Sequence, residues 1–243
     1  MRKLVPCLLV ALLLVPSLTS QSLWWDEGIS LHLASLPWRE IMRDRADNIH
    51  PPLYFFLLKA WTSLAGRSPF AARYLSVLPM VLLPSVVYRF MSKRWGRRVG
   101  RTASFLVALS PPLLIYGQEV RAYAFLPLFW MLMLDFAWPD RELTHWQLRV
   151  GALAVLEASF VLFHYIGFLA VVTVDFLLLC SSLLSKSKTR ARILRRIGWL
   201  STAVAALLVL PWLFQTAHLG FQGLEGQAGL SNALAEPVPG CFV

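Results

Sequence analysis

The sequence predicts an all-α protein, a polytopic membrane bundle of about seven transmembrane helices. Three observations lead to this fold class: 57% of the 243 residues are hydrophobic, only 15% are charged, and the mean hydropathy is +0.60. These values lie well outside the usage of ordinary soluble domains. The apolar runs suit helices that cross a bilayer and are too long for barrel strands, which alternate over roughly ten residues.

The basic residues indicate membrane topology and not nucleic-acid binding. The formal net charge is +10, but the charges neither cover one face nor alternate with stacking aromatic residues. They gather in two clusters between apolar segments, residues 93–101 and 186–196. Because short loops rich in Lys and Arg remain on the cytoplasmic side, we expect both clusters inside, with membrane lipids as partners and no nucleic acid.

The first apolar segment delivers a polar stretch to the outer face. Residues 4–20 follow a basic start, which favours an uncleaved first span and leaves a cleaved signal peptide as the alternative. Residues 21–69 then form the first outer loop, which carries Asp26, Glu27 and His50. A polar insert of this length in an apolar chain is where we expect the chemistry.

Two helices that do not span are predicted within this loop. Trp38 and Ile41 recur at helical spacing, which predicts a helix on the membrane surface. The charged residues, Arg39, Glu40, Arg43, Asp44 and Arg45, are expected on its other side. Residues 51–66 follow His50 and two prolines and predict the second helix. If residues 51–66 crossed the bilayer, the basic cluster 93–101 would lie outside.

The other spans follow in order. Residues 70–90 cross inward, and residues 102–117 return outward, although sixteen residues reach only about 24 Å of the roughly 30 Å core. Residues 123–138, 150–163, 166–184 and 198–215 then complete the bundle. Residues 1–216 thus form one transmembrane module, and residues 217–243, which contain no Lys or Arg, form an extracytoplasmic tail.

Polar groups from distant parts of the sequence meet at the outer face in this topology. They are Asp26 and Glu27, His50, Arg73, Glu119 with Arg121 and Tyr123, and His164 with Tyr165. Each has an ordinary structural explanation: carboxylates suit the first turn of a helix, Arg73 can extend towards lipid headgroups, and Glu119 can pair with Arg121. Singly, none of these groups specifies a site.

Five short motifs in order carry a family resemblance: WWDEGIS, HPPLYFFLLKAW, FAARYLS, YGQEVRAYAF and HYIGF, over residues 20–170. Together they resemble the GT-C type polytopic glycosyltransferases that use lipid-phosphate-linked sugars, the group of the protein O-mannosyltransferases and aminoarabinose transferases. Relatives usually continue with more spans and often a soluble outer domain. We therefore expect a truncated chain, a minimal catalytic module or a nonfunctional fragment.

The resemblance implies the transfer of a hexosyl or pentosyl group from a polyprenyl-phosphate donor. The acceptor is a hydroxyl of a lipid, glycan or protein at the outer, periplasmic or lumenal, face. Inversion in one displacement needs one carboxylate as base, and the match to the family's motif implies that this base is Asp26. Glu27 is implied to orient the acceptor or to hold Asp26.

The remaining residues of the implied site bind substrate. Arg73 and Arg121, with His50 as a further candidate, are implied to stabilise the leaving phosphate. Tyr123, His164 and Tyr165 complete the substrate-binding set. Glu119 supports the sugar or, together with Asp26, holds a divalent cation; no metal is assigned.

Two intramembrane carboxylates support an alternative function. Glu157 and Asp175 fall near the middle of their spans, where a carboxylate is costly and suggests function. A proton-coupled secondary transporter is therefore the second hypothesis, and a non-catalytic scaffold is the third. Hydrogen bonding inside the bundle is the structural alternative for both residues. The short loops favour a bacterial cytoplasmic membrane over the endoplasmic reticulum.

Overall fold

The computed structural model describes residues 4–46, 50–138 and 145–235. All regular secondary structure within these ranges is helical, which confirms the predicted all-α class. The N-terminal part contains α1 (Val5–Leu14), α2 (Trp25–Ser35), α3 (Trp38–Ala46) and α4 (Leu53–Ala65). The middle contains α5 (Pro69–Trp95), α6 (Arg97–Ala108), α7 (Pro111–Tyr116) and α8 (Leu126–Ala137). The last three helices are α9 (Trp146–Phe163), α10 (Gly167–Leu183) and α11 (Lys188–Ala235).

Three helices in the described ranges are long and apolar enough to cross a membrane. They are Pro69–Trp95, Trp146–Phe163 and Lys188–Ala217. Three other predicted spans coincide with shorter apolar helices, namely Val5–Ser17, Ala122–Ala137 and Gly167–Leu183. The chain is therefore a helical membrane protein, and the total of seven spans stays a prediction.

The predicted span 102–117 is divided into two helices. α6 ends at Ala108, and α7 begins at Pro111 after an extended Ser110. Two consecutive prolines explain the break, because a proline disfavours helical conformation in the residue before it. α6 packs closely along α5: a Cβ at Gly100 would lie 2.9 Å from the Tyr88 carbonyl oxygen.

The two ends of α5 lie in different polar environments. Near its start, Arg73 donates to two backbone carbonyls of the segment before α2, those of Leu18 and Gln21. Near its end, Arg94 pairs with Asp135 of α8 at 3.2 Å, and Arg149 of α9 donates to the Trp138 carbonyl at 3.0 Å. Since α5 has 27 residues, these ends are about 40 Å apart. The basic cluster 93–101 therefore lies at the far end of the bundle from Arg73.

The last helix is longer than predicted. α11 has 48 residues and continues through residue 217, where the sequence predicts the start of a tail. Residues 217–235 are thus an extension of the last predicted span. The same helix contacts α3.

Candidate active site

Asp26 and Glu27 are neighbours in the first turn of α2 but occupy different environments. The helix begins after an extended Trp24, and consecutive helical side chains point about 100° apart. The Asp26 side chain is 35% exposed, whereas the Glu27 side chain is fully buried. The two carboxylates therefore have separate partners.

Glu27 forms an enclosed ion pair with Arg73. The Arg73 Nε lies 2.8 Å from Glu27 Oε1, and its Nη2 lies 2.6 Å from Oε2. The other guanidinium N–H groups donate to three backbone carbonyls, those of Leu18, Gln21 and Ser22, at 2.7, 2.9 and 3.0 Å. A guanidinium has five N–H donors, and each of them is used. Arg73 therefore has no donor left for a ligand.

Glu27 also accepts two backbone hydrogen bonds. The N–H groups of Val120 and Trp24 donate to its carboxylate at 3.0 and 3.3 Å. Burial alone would raise the Glu27 pKa, but the hydrogen bonds and charge of Arg73, with the two N–H groups, outweigh it and hold the pKa below its ordinary value. The pair thus fastens three segments together: the chain before α2, the start of α5 and the loop after α7.

A cavity of about 330 Å³ lies beside α2 and is lined by most of the predicted site residues. The predicted residues in its wall are Asp26, His50, Arg121, Tyr123 and His164. The Asp26 carboxylate lies 3.3 Å from the Arg121 guanidinium, which in turn donates to the Tyr123 hydroxyl at 3.3 Å. The structure therefore brings together residues from the outer loop, the YGQEVRAY motif and the HYIGF motif.

The rings of His50 and His164 in this cavity are nearly perpendicular, and their centroids lie 5.7 Å apart. Burial lowers the pKa of His50, and the charges of Arg121, His164 and Arg45 lower it further. Burial followed by the charge of Arg121 likewise lowers the pKa of His164. Both rings therefore favour the neutral form, which can donate or accept one hydrogen bond at each nitrogen.

Arg45 is a site residue that the sequence interpretation missed. The prediction that it lies on the polar side of its helix is wrong: Arg45 is only 7% exposed and lines the cavity. Its Nε donates to Asp44 at 2.8 Å, and its guanidinium lies 4.8 Å from the Phe55 ring centroid. The available signal is the spacing from Ile41, which is four residues earlier on the same helical face and is completely buried.

Tyr54 is the second missed residue. It is 2% exposed and contributes to the cavity wall. Its position in the HPPLY motif, four residues before the fully buried Leu58, is the signal that predicts an inward side chain. Its hydroxyl is buried and has no hydrogen-bond partner among the described residues.

Four predicted site residues, Glu27, Arg73, Glu119 and Tyr165, lie outside this cavity. Glu27, Arg73 and Glu119 line a second cavity of about 270 Å³. Burial, together with the charge of Glu27, raises the Glu119 pKa. The Tyr165 hydroxyl instead accepts a hydrogen bond from the Trp212 indole of α11 at 3.3 Å. Among the described residues, no three His, Cys, Asp or Glu side chains are grouped to hold a metal ion.

Glu157 and Asp175 both face α11. The Ser201 hydroxyl lies 3.1 Å from Glu157 Oε1, and the neighbouring Thr202 hydroxyl lies 2.8 Å from Asp175 Oδ2. Within the described chain, the second oxygen of each carboxylate has no hydrogen-bond partner. These contacts agree with hydrogen bonding inside the bundle, and neither residue lines the Asp26 cavity.

A family model described as dolichyl-phosphate-mannose-protein mannosyltransferase matches residues 49–214, more than half of the chain. The chain belongs to this family. Membership confirms the resemblance to GT-C type enzymes and identifies a membrane glycosyltransferase. The matched range includes His50, Arg121 and His164 and begins after Asp26 and Glu27. Neither a curated protein nor a solved structure matched the chain.

Proposed function

We propose that the Asp26 cavity transfers a sugar from a polyprenyl-phosphate donor to an acceptor hydroxyl, with inversion at the anomeric carbon. One observation carries the proposal: a partly exposed carboxylate and two guanidinium groups, those of Arg45 and Arg121, line a single cavity. The family description names a lipid-phosphate-linked mannose as donor, which supports this donor class. The acceptor in this proposal is a hydroxyl of a lipid, a glycan or a protein.

Asp26 acts as the general base in this proposal. The acceptor hydroxyl donates its proton to Asp26 while its oxygen attacks the anomeric carbon, and the bond between that carbon and the phosphate oxygen breaks. Among the described residues that line the cavity, Asp26 is the one carboxylate. A single displacement needs one base and no carboxylate nucleophile, so this lining suits inversion.

Arg45 and Arg121 stabilise the leaving phosphate. Breaking the glycosidic bond converts a phosphodiester into a phosphate monoester, so negative charge increases on the leaving group. Guanidinium groups offer charge-assisted, two-pronged hydrogen bonds to phosphate oxygens, and fixed cations of this kind contribute about 10²- to 10³-fold to such rates. Neutral His50 and His164, with Tyr123, supply hydrogen bonds to the sugar-phosphate.

Glu27 and Arg73 are positioning residues in this scheme. The family resemblance implies that Arg73 stabilises the leaving phosphate, but its five donors are all engaged by Glu27 and by backbone carbonyls. The ion pair holds the segment before α2 against the loop that contains Val120. This contact keeps the Asp26 carboxylate next to the Arg121 guanidinium. Asp26 and Glu119 line different cavities, so a cation shared between them has no part in the proposal.

The proposed orientation puts the cavity at the outer membrane face. The basic cluster 93–101 lies at the opposite end of α5 from Arg73, and such clusters remain in the cytoplasm. The isoprenoid tail of the donor then stays in lipid while its headgroup enters the cavity. A seven-span topology satisfies this orientation, and the bacterial cytoplasmic membrane remains the expected location.

Release of dolichyl phosphate from dolichyl phosphate mannose tests the proposed function. The wild-type chain, reconstituted in liposomes, is supplied with this donor and, in separate reactions, with a Ser/Thr peptide, a glycan or a glycolipid acceptor. We expect Asp26→Asn to lower acceptor-dependent release by about 10²- to 10⁴-fold, with a Tm decrease of no more than about 4 °C. Glu40→Gln, the same chemical change at an exposed site, is the control and retains activity.

Two outcomes would contradict the proposal. Wild-type release by Asp26→Asn would remove Asp26 as the base. A wild-type chain that consumes no lipid-phosphate-linked sugar with any acceptor would remove the transferase itself.

A further inference from the structure

Tyr54 forms part of the inner wall of the Asp26 cavity. It lies in the first turn of α4, directly after the two prolines. Three phenylalanine rings surround it edge-on, those of Phe55, Phe125 and Phe163, with centroids 5.5, 6.4 and 6.2 Å away. Because these rings confine the phenol, its hydroxyl is held in one place.

This hydroxyl is a buried polar group without a partner. In folded proteins most buried side-chain polar atoms make at least one hydrogen bond, and an orphaned one carries a desolvation penalty. The Tyr54 hydroxyl has no partner among the described residues, although it lies within electrostatic range of Arg121 and Glu27. The cavity that Tyr54 shares with Asp26 and Arg121 is where a ligand would meet it.

We propose that the Tyr54 hydroxyl recognises a hydroxyl group of the transferred sugar. The inference rests on the proposed transferase function and names a specificity residue within it. A phenol both donates and accepts a hydrogen bond, as a sugar hydroxyl does. Phosphate oxygens only accept, and the cations Arg45 and Arg121 already serve them.

The geometry of the donor supports the same assignment. The isoprenoid tail must leave the cavity towards lipid, and the phosphate lies between tail and sugar. The sugar is therefore the deepest part of the bound donor, where Tyr54 is 2% exposed. The rings of Phe55 and Phe163, which also line the cavity, offer apolar surface to the C–H groups of the sugar.

Tyr54→Phe tests this inference by removing one oxygen atom. Binding of dolichyl phosphate mannose and of dolichyl phosphate is measured by calorimetry on the full chain in nanodiscs, alongside Tm without ligand. We expect the variant to bind the mannose-bearing lipid about tenfold more weakly and to bind dolichyl phosphate as the wild type does. Its Tm without ligand is unchanged or higher, because an unpaired buried hydroxyl is lost.

Tyr74→Phe is the matched control. Tyr74 lies in α5, stacked on Trp61 at a centroid distance of 6.3 Å, and is absent from the cavity wall formed by described residues. Both lipids are expected to bind Tyr74→Phe and the wild-type chain equally.

Each other outcome overturns the inference in a recognisable way. If Tyr54→Phe weakens the binding of both lipids equally, the Tyr54 hydroxyl binds the phosphate and not the sugar. Unchanged binding of both, or a lower Tm with unchanged binding, assigns the hydroxyl to packing or to a buried water. If the wild type binds neither lipid, the proposed function itself fails, whereas an active wild type with unaltered Tyr54→Phe discrimination removes only the role of Tyr54.

Discussion

Glu27→Gln is expected to destabilise severely the end of the protein that contains the first turn of α2. The substitution keeps the size of the side chain and removes its charge. Arg73 then remains as an unpaired cation, buried and surrounded by the carbonyls of Leu18, Gln21 and Ser22. Removing one partner of a buried ion pair leaves a charge without compensation, which is the costly case.

The expected magnitude follows from burial. The Glu27 and Arg73 side chains are 0% and 5% exposed, so the loss is about 3 to 5 kcal/mol. For a chain of this length, this loss corresponds to a Tm decrease of roughly 6 to 20 °C. The neighbouring pair of Asp26 and Arg121 is 35% and 18% exposed, and solvent screening limits its contribution to about 1 kcal/mol or less.

Thermal unfolding in detergent, followed by circular dichroism, measures both effects. Asp26→Asn is the matched control, because it makes the same carboxylate-to-amide change one residue away. The double variant Glu27→Gln with Arg73→Gln tests the coupling: it should recover part of the lost Tm, since no unpaired charge remains. Equal small shifts for Glu27→Gln and Asp26→Asn, or additive losses in the double variant, would refute the reasoning.

Two further predictions concern pH and the turn between α9 and α10. The folded-state pKa values of His50 and His164 are depressed mainly by burial, so their contribution to stability is present above the unfolded value of about 6.5 and is lost as pH falls below it. Between pH 7.5 and pH 5.5, the Tm of the wild type should therefore fall more than the Tm of the double variant His50→Gln with His164→Gln. Equal decreases in Tm for the two proteins would contradict this. Gly167→Ala should cost about 1 to 3 kcal/mol, because its Cβ would lie 2.6 Å from the Phe160 backbone, whereas Gly151 has nothing within 4 Å and Gly151→Ala should be neutral or stabilising; equal Tm values for the two alanine variants would refute the close approach.

The order of short motifs was enough to predict which loops meet at the Asp26 cavity. Asp26, His50, Arg121 and His164 belong to four separate segments, yet all four line it. The predicted seven-span topology accounts for this, because alternate loops of helices that run back and forth across a membrane end on the same side. Predicting this part of the site requires only the direction in which each span crosses the membrane, and no knowledge of side-chain packing.

How deeply each side chain is buried could not be predicted from the sequence, as three examples illustrate. Asp26 and Glu27 look equivalent in the first turn of α2, and only the packing of α5 decides that Glu27 is enclosed. Arg45 belongs to a strongly charged segment that suggests a solvated helix, yet its spacing from Ile41 turns it inward. The sequence also suggests that Arg73 is free to bind phosphate. Its backbone-carbonyl partners belong to an irregular segment, and residue periodicity does not predict the contacts of such a segment.

The fold shows a similar division between predictable and unpredictable parts. The segments that became α5, α9 and α11 were recognisable from composition alone, because burial of a long apolar helix in lipid needs no specific partner. The interrupted segment 102–117 was not, because its hydropathy is continuous across Ser110 while its backbone is broken by the prolines. Apolar length predicts a span only where the backbone can remain helical.

The first turn of α2 also makes the chain intolerant of insertions in the few residues before it. Arg73 donates hydrogen bonds to the carbonyls of Gln21 and Ser22 and to the carboxylate of Glu27. These contacts fix the number of residues between Ser22 and Glu27. One added residue would lengthen the irregular chain between Ser22 and Glu27, so Arg73 could contact both only if the start of α2 shifted. Asp26 would then leave the cavity wall, and a single codon inserted here would disable the site even though every side chain named in it remained encoded.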